Sequence, residues 1–217
     1  MSNAQLELDV TDELFWDPKV DSEAVAVSAD DDGVVTLQGT VGSFRQKREA
    51  KHAAERVYGV TGVHNELQVR ILADSRRDDA DVRGAVLQAL MLDSLVPSTI
   101  DAKVNDGWVT LKGTANWQFE RDEAEFLAGN VLGVVGVDDE VSIVPDGPPA
   151  SEVKQSIAKA MKRNAKLDAD ELSVESTNGT VVLSGVVSSW ADHDAAVDAA
   201  WAAPGVTLVD DQILVAY

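Results

Sequence analysis

The sequence predicts an α/β chain of the α+β kind: three tandem α-β-β-α-β domains, each a small three-stranded sheet packed by two helices. Three observations predict it. First, three segments nearly superimpose: DGVVTLQGTV at 32–41, DGWVTLKGTA at 106–115 and NGTVVLSGVV at 178–187. Second, their turn glycines Gly33, Gly107 and Gly179 lie 74 and 72 residues apart. That period is too long for a solenoid unit and right for a minimal domain. Third, apolar residues at helical spacing both precede and follow each segment. The domains are expected at 1–73, 78–145 and 150–217. The linkers are 73–79, which is charged, and 145–150, PDGPPA, which is stiff.

The first helix of each repeat is read from one apolar stripe: Leu6, Val10 and Leu14, then Val82, Val86 and Leu90, then Val153, Ile157 and Met161. The first hairpin strand follows, at 24–28, 99–104 and 172–175. Asp-Gly or Asn-Gly then makes the turn, because both residues tolerate positive φ. The middle strand alternates, with Val35/Leu37, Val109/Leu111 and Val181/Leu183 on the core face. Gly39, Gly113 and Gly185 continue that face, and a helix is expected to cross closely over them.

The second helix comes next. Ser43 and Gln46 have capping-box spacing, and Asn116 and Ser189 are the expected caps of the other copies. Its stripe is Ala50/Ala54, Ala124/Ala128 and Ala196/Ala200, small enough for the helix to lie close to the sheet. Gly62-Val63, Gly136-Val137 and Gly205-Val206 turn the chain into a last strand, expected at 67–71, 141–144 and 213–216. On that alignment the third copy holds two extra residues before Asp211.

Composition narrows the function. The net charge is −20, spread as −7, −7 and −6 over residues 1–75, 76–145 and 146–217. Every repeat is acidic, so long-range attraction to nucleic acid or to anionic lipid is unfavourable. There is no cysteine, hence no disulfide framework and no thiolate metal site. No apolar run reaches the length of a membrane span, and the N-terminus has no basic-then-apolar signal pattern, so a cytoplasmic location is expected. Neither a Gly-rich phosphate loop nor a G-x-S-x-G elbow is present, and no enzymatic activity is expected. The three histidines, at 52, 64 and 193, lack partners at metal spacing and read as surface or cap residues. The acidic clusters at 30–32, 78–81, 138–140 and 210–211 read as turn and loop carboxylates.

The candidate ligand or partner site rests on two basic stripes and two indoles. Arg45, Arg48, His52 and Arg56 share a helix face in the first copy, and Lys159, Lys162, Arg163 and Lys166 share one in the third. Such a stripe suits an anionic headgroup or an acidic partner. Trp117 and Trp190 open the second helix of their copies, with Phe44 as the counterpart in the first. A bulky ring there suits a binding anchor or an interdomain contact.

The α-β-β-α-β order, the DG-x-V-x-L-x-G core and the late G-V…[ND]-x-[LIV]-x-V strand resemble the BON domain, a family named after bacterial osmotic-shock and nodulation proteins. The last-strand signature is clearest in Gly62-Val63-His64-Asn65-Glu66-Leu67-Gln68-Val69, and Gly136 to Val141 matches it. The resemblance implies a bacterial stress-related protein that binds phospholipid or the envelope, and in one cytoplasmic branch potassium. The expected function is a non-catalytic binding or scaffold protein engaging a protein partner or an anionic lipid surface. A cytosolic potassium sensor is the alternative, with loop carbonyls near Gly62, Gly136 or Gly205 as donors. No cofactor other than potassium is expected.

Overall fold

The computed structural model describes residues 2–72, 77–145, 153–163 and 172–217. Most of both expected linkers, and Lys166, lie outside the described residues. By internal contacts the chain divides into two units, Met1–Gly113 with Arg121–Val141, and Thr114–Glu120 with Ser142–Tyr217.

The first repeat runs α1 (Asn3–Trp16), β1 (Val25–Ala29), β2 (Val34–Val41), α2 (Phe44–Glu55), β3 (Gly62–Asn65) and β4 (Gln68–Val69). The second runs α3 (Asp79–Leu92), β5 (Asp101–Asn105), β6 (Trp108–Ala115), α4 (Gln118–Gly129) and β7 (Gly136–Ile143). The third runs α5 (Val153–Arg163), β8 (Leu172–Thr177), β9 (Thr180–Val187), α6 (Trp190–Trp201) and β10 (Leu208–Val215). Asp79, expected in the linker, already belongs to α3.

In each sheet the middle strand of the repeat is central. β1 and β8 pair antiparallel with β2 and β9, while β3, β4 and β10 pair parallel with them. In the second repeat, hydrogen bonds from Val135 N–H to the Gly107 carbonyl and from Val144 N–H to the Ala115 carbonyl give the same parallel sense. The core of the first repeat joins Leu6, Val10 and Leu14 of α1, Val35, Leu37 and Val41 of β2, and Ala50, Ala53 and Ala54 of α2. Both helices therefore cover one face of the sheet. The third repeat builds its core from the matching positions. All six of the expected middle-strand residues, from Val35 to Leu183, are at most 1% exposed. Burial on that scale makes each leucine worth several kcal/mol, about 2–5 on truncation to alanine.

Four local expectations are corrected. Gly39 and Gly113 do not meet a helix. With φ at +119° and +139°, they lie against the neighbouring strand, and an added Cβ would collide with the carbonyl oxygens of Ala24 and Thr99. Gly185 shares the conformation, at +138°. The close approach is of strand backbone, which explains why glycine is required although the helix is elsewhere.

The hairpin turns also differ. In the second and third repeats Asp106-Gly107 and Asn178-Gly179 both have positive φ, as a type I′ turn demands. The first repeat carries one more residue in its loop, and there only Gly33 has positive φ. Asp30 organises this longer turn by accepting the N–H groups of Asp32 and Val34.

The last strand starts about five residues earlier than expected, and the third copy holds no insertion. Val34 pairs with Gly62 and Thr180 with Leu208, so the sequence offset between paired strands is the same in both. Gly205-Val206 therefore matches Gly59-Val60 and Gly133-Val134, not the later glycine pairs. Val60, Val134 and Val206 are all buried, and the carbonyls of Gly59, Gly133 and Gly205 each abut the hairpin glycine of their repeat.

Finally, α4 begins at Gln118, which puts Trp117 in the N-cap slot held by Ser43 and Ser189 elsewhere. Asn116 is one place too early. The Glu120 carboxylate instead reaches back to the N–H groups of Asn116 and Trp117, supplying half of a capping box.

Candidate functional site

The basic stripe of the first repeat does not form a single open surface. Arg56 ion-pairs with Glu13 of α1 and with Asp17 at its C-cap, each at 2.9 Å. Burial draws its pKa down, but the Asp17 and Glu13 carboxylates outweigh that and hold it raised. Asp17 is nearly buried and its pKa is lowered, first by the Lys19 backbone N–H, against burial, and then by Arg56. Arg48 lies over the Phe126 ring at 4.6 Å and donates to Asn130 Oδ1 at 3.0 Å. It therefore ties α2 to α4, with its pKa lowered chiefly by burial. Phe44 packs beside it, so closely that a Cβ on Gly129 would stand 2.9 Å from its ring. Glu125 on the same helix is raised, first by burial and then by Asp139 and Asp122. Arg45 and His52 remain exposed.

In the third repeat Lys159 and Arg163 are exposed on α5. Lys162 lies on that helix and its side chain is outside the described residues. The two indoles are not equivalent. Trp190 occupies the place of Phe44, packs partly on its own core and sits 4.9 Å from the His193 ring. Trp117 fills a cap slot and is 37% exposed. Trp108, on the outer sheet face, lies across Gly136, where any Cβ would strike the indole.

A recurring contact went unnoticed in the sequence. A residue near the start of the second helix meets one on the last strand, eighteen positions later in every repeat. Asn65 donates to the Lys47 carbonyl, Arg121 ion-pairs with Asp139, and His193 meets Asp211. The strand residue also accepts the N–H two positions on, at Leu67, Val141 and Ile213. The equal spacing was the available signal, hidden by the two-residue slip in the third copy's alignment.

A cleft of about 570 Å³ opens in the first unit, between the last strand of the first repeat and the hairpin of the second. Arg70, Arg77, Asp78, Asp79 and Asp106 line it with Gly107 and Gly133. Asp78 caps α3, and Asp79 accepts the N–H groups of Asp106 and Gly107. Among the described residues no three His, Asp or Glu side chains are grouped to hold a metal ion. Among the described residues no helix is long and apolar enough to cross a membrane.

Three small mixed sheets, each with two helices on one face and a glycine-pinned hairpin, define a tandem α/β repeat protein. The chain belongs to the BON domain family, whose model matches residues 2–71, 78–145 and 149–217. It is similar to osmotically-inducible protein Y of Escherichia coli (strain K12), 37% identical over 112 residues. That match covers 49% of this chain and 56% of the relative, so the chain spans little more than half of the relative's length. Among solved structures it is similar to CdsD, a structural protein of the type III secretion system of Chlamydia trachomatis, at 18% identity. That alignment covers 98% of this chain and 92% of the other, with a TM-score of 0.27.

Proposed function

We propose that this chain is a non-catalytic, stress-related binding scaffold whose BON repeats offer apolar docking points to a protein partner or a phospholipid surface. The observation that carries the reading is an exposed apolar pair at one place in two repeats. Phe15 and Trp16 end α1 at 70% and 77% exposure, with their rings edge to face. Met91 and Leu92 hold the same two places on α3, at 78% and 74%. The third repeat has Lys162 and Arg163 there. Large apolar groups left in water at a repeated position mark an interaction site better than scattered ones do. Two such points on one chain raise apparent affinity through effective concentration when a partner spans both. The link to stress rests on the likeness to the osmotically-inducible relative.

The test is cosedimentation with phosphatidylcholine vesicles, with and without phosphatidylglycerol, beside cross-linking in osmotically stressed cells. Trp16→Ser with Leu92→Ser should abolish whichever association is found. Association unchanged by that double variant would overturn the reading.

Potassium binding is a second reading, resting on backbone carbonyls of the glycine turns before the last strands, of which Gly133 lines the cleft. Screening stabilises an acidic chain in any salt, so only the difference between KCl and NaCl at equal ionic strength is informative. Equal melting curves would remove this reading.

A further inference from the structure

Both ring nitrogens of His193 face carboxylates. Nε2 lies 2.7 Å from Asp211 Oδ2 on β10, and Nδ1 lies 3.1 Å from Asp194 Oδ1 on α6. An ionised carboxylate only accepts, so both bonds form only when both nitrogens carry protons. A neutral imidazole has one proton and serves one of the two. The ring is only 14% exposed. Asp194 is 69% exposed and Asp211 33%, so losing the proton leaves a carboxylate facing an acceptor, at greater cost on the Asp211 side.

The other repeats lack this chemistry at the matching place. Arg121 is a permanent cation toward Asp139, and Lys47 contributes its backbone carbonyl to Asn65. The strand residue matters to the fold, because Asp211 Oδ1 accepts the N–H of Ile213 at 3.0 Å. Ile213 and Val215 are the residues β10 buries in the core.

We propose that His193 is a proton-operated latch between α6 and β10, found in the third repeat alone. Protonated, it ties Asp194 and Asp211 together and steadies the carboxylate that shapes β10. Neutral, it lets one of them go.

The surrounding charges leave that latch to two partners. On α6, Asp192 is held by Ser188 and Ser189, and Asp198 is raised by burial first and Asp194 second. On β10, Asp210 accepts from Gln212. β9 carries no titratable side chain. Lys154, Lys159 and Arg163 of α5 are exposed. The His193 pKa is raised above 6.5, first by the Asp194 hydrogen bond, against burial, and then by Asp211. A raised folded-state pKa means that the stabilisation is complete below the unfolded value and is lost as pH rises through the folded one.

The experiment follows the His193 imidazole of the full chain by NMR from pH about 5 to about 8, with hydrogen-exchange protection at Ile213, Val141 and Leu67. His193 should titrate above the ordinary histidine value. Protection at Ile213 should fall severalfold as His193 loses its proton, while Val141 and Leu67, which make the same bond in the other repeats, hold steady. His193→Arg, copying Arg121, should keep Ile213 protected across the range. A His193 titration at or below the ordinary histidine value would overturn the proposal in the wild-type chain alone. Protection at Ile213 that tracks Val141 at every pH would do the same.

Discussion

Gly113 shows how one missing side chain governs a strand. Its φ of +139° is a region that L-residues rarely enter, and the Thr99 carbonyl oxygen fills the space a Cβ would need. Backbone cannot swing aside as a flexible side chain can, so strain and collision add. Gly113→Ala should lower stability by more than about 1 kcal/mol, read as a shift of the urea midpoint. An unchanged midpoint would mean that the strand relaxes freely there. Gly136 is a different case, since its neighbour is the Trp108 indole, a side chain that can rotate. The same residue type was legible at both places, but the reason for it was not. An alternating pattern gives the parity of a position and says nothing of which neighbour lies beyond it.

At the level of the element, the second helix repeats its interior faithfully and varies its beginning. Ala50, Ala124 and Ala196 are fully buried at one position. Ser43 and Ser189 accept the N–H of Gln46 and Asp192, while Trp117 stands in that slot in the second repeat. A serine or threonine cap is worth about 1 kcal/mol over residues without a side-chain acceptor. Ser189→Ala should therefore cost about that much. Trp117→Ser should leave the second repeat as stable or more so, because it restores the missing acceptor beside Glu120. Thermal or urea unfolding of each variant checks both signs. A marked loss in Trp117→Ser would show that the indole itself holds the helix end.

At the level of the whole molecule, the first two repeats are coupled by side chains that look like free surface in the sequence. Arg48 lies over Phe126 and donates to Asn130, with Phe44 packed on Gly129. A cation over an aromatic face contributes about 0.5–2 kcal/mol, more when water is excluded. A double-mutant cycle on Arg48→Ala and Phe126→Ala should give a coupling of that order, whereas residues with no shared contact add independently. Zero coupling would mean that the two groups merely lie near each other. The charge of this arginine is thus spent within the protein, as is that of Arg56 on Glu13 and Asp17. Arg45, His52 and Arg56 are exposed members of the stripe, and Arg56 is already paired with two carboxylates.

The repeat, the order of elements and the core stripes, from Leu6 and Val10 through Leu111 to Ile157, are legible in the residues alone. Those features follow from local periodicity and turn chemistry, which act over a few residues. The partners of those elements were set by the fold. It matched Gly205 with Gly59, because strand pairing fixes a common offset that similar glycine-valine pairs had obscured. It laid Arg48 over Phe126, paired Arg56 with Glu13 and Asp17, and set His193 between two carboxylates. Side-chain partners are chosen by where elements meet, and on α2 and α6 those meeting points join residues eighteen or more positions apart. Hydropathy and spacing record that a charge is present. Its protonation and its use depend on which carboxylate, ring or backbone group the folded chain brings to it.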